Sequence, residues 1–186
     1  MEFELRHARL RPLSLHDAAS MAVHANDASV ARDLPDRFVH PYSEQNAIEF
    51  IERVMKADPL TVLAIEVDGE CAGTIGWKLR DDVERVSVEI GYWLGVAHAG
   101  RGITSEALQV ITPWLIREKK LTRVEARLFL RNRASARVLE KAGFVREGLL
   151  RRSAIKAGEI LDQELWAFVV DQPGVLAVDT GTGQPW

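Results

Sequence analysis

The stretch Val86-Ser-Val-Glu89-Ile-Gly-Tyr-Trp93-Leu94-Gly-Val96-Ala-His-Ala-Gly100-Arg101-Gly102-Ile103-Thr104-Ser-Glu-Ala107 changes its period part-way along, and the fold reading turns on that change. Val86, Val88, Ile90, Tyr92 and Leu94 alternate with Ser87, Glu89, Gly91 and Trp93, the two-residue repeat of a strand with unlike faces. From Gly102 onward Ile103, Ala107, Leu108, Ile111, Trp114 and Leu115 recur at helical spacing, ending near Lys119-Lys120. A strand therefore runs into a helix through a loop holding Gly100 and Gly102. The first amides of a helix lack intrahelical acceptors and attract anions. Gly100 and Gly102 allow close backbone approach to a phosphate, while Arg101 adds charge and Thr104 a hydroxyl. A tight turn that needs glycine for shape alone is the competing reading. Pro113 lies inside the helical stripe, where it predicts a kink or a cost of about 3 kcal/mol.

Upstream, Leu10 and Leu13 close a short strand, and Ser14 with Asp17 form a capping pair opening a helix to about Ala25. Asn26 to Pro41 reads as turns and short helical pieces. Ala47, Ile48, Ile51, Val54 and Met55 predict a helix over Ser43 to Ala57, stopped by Asp58-Pro59. Thr61 to Val67 and Cys71 to Trp77 form a hairpin around Asp68-Gly69, a dipeptide suited to positive φ. Downstream come a strand over Val124 to Leu130, a helix from Arg133 to Ala142 stopped by Gly143, and strands from Phe144 and over Ile160 to Val170. Hairpins flanking strand-helix-strand crossovers require a mixed sheet of about seven strands covered by helices, a three-layer α/β/α domain over residues 1–171. Residues 172–186, rich in Gly, Thr and Pro, predict a mobile tail.

Composition removes several functions. The 186 residues are 47% hydrophobic with a formal charge of −3, fitting one ordinary globular domain and not a basic nucleic-acid binder. No apolar run approaches a membrane span, and the N-terminus has no signal-peptide core, so a cytoplasmic protein is expected. Cys71, the single cysteine, reads as a buried strand residue with no catalytic part. His7, His16, His24, His40 and His98 show no ligand spacing, so no metal is expected. A P-loop would need Gly-Lys-Ser/Thr where Gly-Ile-Thr stands, and the dinucleotide fingerprint would need glycine at Ser105.

Glu89-Ile-Gly-Tyr-Trp-Leu94 with Gly100-Arg-Gly-Ile-Thr-Ser-Glu-Ala107 resembles the central strand and acetyl-CoA loop of the GNAT superfamily of N-acetyltransferases. Asn132-Arg-Ala-Ser135-Ala-Arg-Val-Leu-Glu-Lys-Ala-Gly143-Phe-Val-Arg-Glu-Gly148 is similar to a second block, in the ribosomal-protein N-terminal acetyltransferase branch. The resemblance implies a sheet splayed at its centre, with acetyl-CoA as co-substrate. Trp93, Leu94 and Val96 would then line the pantetheine arm, the amides of Gly100, Arg101, Gly102, Ile103 and Thr104 would hold the diphosphate, and Asn132 and Ser135 would face the donor. One departure is Ala97, where Arg or Gln is usual, which shifts diphosphate binding toward backbone amides and Arg101.

The same resemblance implies Glu89 as catalytic base, directly or through water, because an α-amine must lose a proton before attack. A backbone amide near Leu94 would stabilise the oxyanion. Leu139 stands where many relatives carry a tyrosine acid, which leaves Ser135 as acid or hydrogen-bond donor to the departing thiolate. Each has a bland alternative: Glu89 as an ion-paired strand residue, Ser135 as a helix-start side chain. The implied reaction is direct transfer in a ternary complex to a primary amine, foremost a protein or peptide N-terminus. Asp33, Asp36, Glu44, Asp81 and Asp82 would attract a cationic amine or simply be solvated. A small-molecule amine and a non-catalytic acyl-CoA-binding module are the alternatives. A homodimer is expected by analogy with fold relatives alone.

Overall fold

In the computed structural model of the protein, which describes residues 1–174, eight strands form one open sheet. They are β1 (Phe3–Glu4), β2 (Arg9–Arg11), β3 (Val62–Val67), β4 (Glu70–Leu79), β5 (Ser87–Leu94), β6 (Arg123–Phe129), β7 (Val145–Lys156) and β8 (Glu159–Val169). Their spatial order is β1-β2-β3-β4-β5-β6-β8-β7. The eighth strand beyond the sequence expectation is β1, two residues too short to leave a periodic signal. The part of the expected tail from residue 175 lies outside the described residues. Gln172 to Gly174 continue past β8, and the Gly174 amide donates to the Leu121 carbonyl at 3.0 Å.

Five helices accompany the sheet: α1 (Ala18–Ala25), α2 (Ala28–Arg32), α3 (Glu44–Met55), α4 (Ile103–Lys119) and α5 (Arg133–Lys141). Two separate cores show that the helices lie on both faces. Strand alternation sends Leu63, Ile65, Ile75, Val88 and Ile90 into a core with Ala107, Leu108 and Ile111 of α4 and Leu139 of α5, and a bulge at Ala72 adds that residue to it. Ala64 and Cys71 point the other way, packing with Met21 of α1 and Ile51 of α3. This is the three-layer arrangement that the alternating patterns require.

Local chemistry sets the element ends. The Asp17 carboxylate accepts the Ser14 amide at 2.8 Å at the start of the tight turn Leu15–Asp17 that leads into α1, and Asn46 accepts the Ser43 amide at 2.9 Å to cap α3 reciprocally. The Phe144 amide donates to the Leu139 carbonyl and the chain turns left-handed at Gly143, closing α5. α4 runs through Pro113 without interruption. Ile111, Thr112, Leu115 and Ile116 around the proline are all buried, and that packing outweighs one lost backbone bond.

The join between β5 and β6 positions the site. All other neighbouring strands are antiparallel, whereas β5 and β6 are parallel and paired only at Ser87–Arg123, Val88–Val124 and Glu89–Glu125. Beyond Glu89, β5 stays on β4 as far as Leu94, while β6 stays on β8 to Phe129. The sheet therefore splays open from Ile90 onward.

Candidate active site

The splay opens into a cavity of about 650 Å³ that Glu89, Tyr92, Trp93, Asn132, Ser135 and Leu139 all help to line. Four of the residues picked out in the sequence, Glu89 and Trp93 of β5 and Asn132 and Ser135 at the start of α5, thus meet at one place. Leu94 and Val96 carry β5 out of the cavity toward the glycine loop, where Val96 to His98 form a single tight helical turn.

Leu94 has its own geometric role. The Gly95 amide donates to the Ala72 carbonyl of β4 at 2.8 Å. Amides alternate in direction along a strand, so that of Leu94 faces the opposite edge, into the splay where β6 no longer pairs. An unpaired strand amide there is a ready hydrogen-bond donor.

At the loop, Gly100 and Gly102 hold φ at +78° and +81°, and a Cβ built on either would meet nothing within 4 Å. The conformation demands glycine, and open space faces it. Gly102 is the N-cap of α4 and no side chain caps that end, so the amides that follow keep their affinity for an anion. Ile103 and Thr104 are both buried. Arg101 is exposed, and its guanidinium donates to His98 Nδ1 at 3.2 Å. Burial, His24 and Arg101 itself hold His98 below the usual imidazole range, which keeps that nitrogen an acceptor.

Glu89 sits on the last rung before the strands part. Its Oε2 accepts from Arg80 at 2.8 Å, and the same Arg80 nitrogen lies 2.9 Å from Glu125 Oε1 on the paired strand. Arg123 holds the other Glu125 oxygen at 2.9 Å and grips Glu147 with both terminal nitrogens. A carboxylate network thereby closes the narrow end of the splay, with Glu89 its member at the cavity and Oε1 left for a proton or a water.

Asn132 caps α5, its Oδ1 accepting the Ser135 amide at 3.0 Å. The Ser135 hydroxyl, freed from that duty, lies 2.7 Å from the Tyr92 hydroxyl of β5. Leu139 is fully buried. Tyr92, Arg80 and Glu125 are the site residues that sequence reasoning missed. Tyr92 was legible only as a member of the aliphatic stripe, although a half-buried phenol needs a polar partner. Glutamates at matching depth in two strands joined by a crossover, Glu89 and Glu125, were a usable signal for the network.

Aromatic rings form the cavity's far wall, with Phe38 stacked on Tyr42 at 5.0 Å and edge-on to Trp93 at 5.5 Å. Asp33, Glu49, Arg37 and Arg53 line it as well. Cys71 stays outside this set: it is fully buried, and burial pushes its thiol up to about 12.

The family model of the acetyltransferase (GNAT) domain matches residues 7–145. The chain belongs to the GNAT acetyltransferase family. Relatives include the probable N-acetyltransferase YjcK of Bacillus subtilis, 42% identical over 43% of this chain and 44% of that protein. The ribosomal-protein-serine acetyltransferase of Escherichia coli is 30% identical over 56% of this chain and 58% of its own. The chain thus aligns with about half the length of these two relatives. Among solved structures, RimL, the ribosomal L7/L12 alpha-N-protein acetyltransferase in complex with coenzyme A, superposes with a TM-score of 0.79. That match covers 90% of this chain and 96% of RimL at 20% identity, a likeness of fold.

As a GNAT protein the chain is an acyltransferase of the N-acetyltransferase type, with acetyl-CoA as co-substrate. Its residues fit that donor. The left-handed glycines, the open space before them and the uncapped start of α4 suit a diphosphate, and the splay with its unpaired edge amides suits an amide-bearing arm. Among the described residues no helix is long and apolar enough to cross a membrane.

Proposed function

We propose that this GNAT enzyme acetylates a protein or peptide N-terminal α-amine by direct attack in a ternary complex. The observation that carries the reading is the cavity at the splay, which joins Glu89 and Ser135 to a wide aromatic wall. Bound acetyl-CoA supplies an activated acetyl thioester. The chain's residues do the rest. Amides from Gly100 to Thr104, with Arg101, hold the diphosphate, while Trp93, Leu94 and Val96 guide the arm beside Asn132.

Glu89, oriented by Arg80, takes the proton from the incoming ammonium directly or through one water. The Leu94 amide faces the charge that develops on the acetyl oxygen, and Ser135 donates to the departing sulfur. Asp33, Glu49 and Glu89 line the cavity together with Arg37, Arg53, Lys78 and Arg127, so groups for an ammonium and for a neighbouring acidic group are both present. The aromatic wall suits the first side chains of a peptide. The name of the Escherichia coli relative supports a protein acceptor.

The test is an acceptor screen that reads release of CoA thiol with peptide N-termini, polyamines and amino-acid amides. Peptides should be the best acceptors; thiol release confined to polyamines would reject the peptide reading. Donor binding without release for any amine would make the chain a binding module. Glu89→Gln should lower kcat about 10²-fold or more with acetyl-CoA affinity retained. Unchanged turnover would remove Glu89 from proton transfer.

A further inference from the structure

Ser135 needs its proton aimed at the sulfur, and nothing in its own helix aims it. A serine in the first turn ordinarily bonds nearby backbone or rotates freely. Here Asn132 already occupies the Ser135 amide, and the serine hydroxyl meets a side chain from the opposite bank of the splay, Tyr92 Oη at 2.7 Å. We propose that the Tyr92 hydroxyl is a positioning group for acetyl transfer, donating to Ser135 Oγ so that the serine proton points at the departing sulfur. The proposal rests on the role given to Ser135 above.

The direction of the bond follows from the donors and acceptors present. Each hydroxyl carries one proton, and a phenol is the stronger donor. If serine donated instead, the acceptor left for the tyrosine proton among the described residues would be the Ser135 carbonyl at 3.4 Å, a long and weak bond. Donation from tyrosine to serine satisfies Tyr92 and leaves the serine proton free. Such a chain also strengthens its last donor, because each bond polarises the next. Burial raises Tyr92 well above the usual phenol range, so it stays protonated and gives up no proton of its own.

The step balances without an outside reagent. The amine nitrogen forms a bond to the acetyl carbon, the carbon–sulfur bond breaks, and its electron pair stays on sulfur as a thiolate. The Ser135 O–H hydrogen-bonds that thiolate; of the two protons the ammonium loses, one passes to Glu89 before attack and the second, released from nitrogen as the carbon–sulfur bond breaks, leaves to solvent through the cavity. Leu139 of α5 is fully buried and carries no hydroxyl, so the phenol beside Ser135 comes from β5.

The experiment compares Tyr92→Phe, Ser135→Ala and the double variant, with acetyl-CoA and with its selenoester analogue as donors. Tyr92→Phe keeps the ring in the core and should lower kcat about ten-fold, as the loss of one neutral hydrogen bond implies, with KM for acetyl-CoA and the melting temperature nearly unchanged. The double variant should be no slower than Ser135→Ala alone, since the tyrosine acts through the serine. With the selenoester, whose selenolate leaves readily, the Tyr92→Phe deficit should shrink. A wild-type kcat in Tyr92→Phe, multiplying losses in the double variant, or a deficit equal for both donors would overturn the proposal. If instead the wild-type protein releases no thiol with any amine, it is the acetyltransferase reading that fails.

Discussion

Gly102 holds φ at +81° and no atom lies within 4 Å of the place a Cβ would take, so its substitution has two separable effects. Backbone strain from a left-handed non-glycine residue costs roughly 1–2 kcal/mol of folding stability. The second effect falls on the donor, because the branched side chain of Gly102→Val occupies the space before the α4 amides. Calorimetric titration should show acetyl-CoA bound roughly ten- to hundred-fold more weakly, the loss of about one charge-assisted bond, while urea unfolding reports the strain. Wild-type affinity would dissociate this loop from the diphosphate. The loop was readable in the sequence because a positive φ is a local demand that glycine announces. The partners of Glu89 and Ser135 were not: Tyr92 reaches a residue 43 positions away, and Arg80 joins Glu89 to a carboxylate 45 positions away. Only the closed fold brings these together.

Where β2 meets α1, Arg11 binds the Asp17 carboxylate with both terminal nitrogens, at 2.8 and 2.7 Å, and also contacts Glu66 of β3. Asp17 is 4% exposed. Asp17→Asn leaves Arg11 with Glu66 as its remaining carboxylate and weakens two charge-assisted bonds, so it should destabilise by about 2 kcal/mol, seen as a lower urea midpoint at unchanged slope. Burial pushes the Asp17 carboxyl up, but the bonds from Arg11 and Ser14 outweigh it and leave it below the ordinary 3.8. A carboxyl lowered in the folded state stabilises above its unfolded value, and that contribution is lost as pH falls from there through the folded value. The variant should therefore lose part of the wild-type acid sensitivity below about pH 4. The capping role of Asp17 could be read from its spacing to Ser14, whereas its ion pair could not. Hairpins and amphipathic helices were legible for the same reason that caps were: their signals lie within a few residues. β1 lacked the length to show a period, and the tolerance of Pro113 depends on burial around it that only packing supplies.

Across the whole molecule, β1 to β5 and β6 to β8 are two antiparallel assemblies joined by three parallel rungs, the Arg80 bridge and the α4 crossover. A donor seated in the splay contacts both assemblies and adds its binding free energy to the folded state alone. At a hundred times Kd the linkage contribution is about 2.7 kcal/mol, a rise in melting temperature of roughly 5–10 °C for a chain of this size. Scanning calorimetry at graded acetyl-CoA should show that rise, and Gly102→Val should blunt it in proportion to its weaker binding. The parallel pair was expected from the crossover pattern, and the splay from family resemblance. Its starting rung, Glu89 against Glu125, is a tertiary fact that emerged with the fold.

The strand at one edge of the sheet, β7, is twelve residues long but is broken by irregularities at Arg146–Gly148 and at Leu150–Ala154, where Arg152 turns to a φ of +53° and gives its amide to Asp162. A straight run of free amides and carbonyls would invite strands from neighbouring molecules to add on indefinitely. Kinks and arginines interrupt that template every few residues, which disfavours addition of a neighbouring strand at this edge.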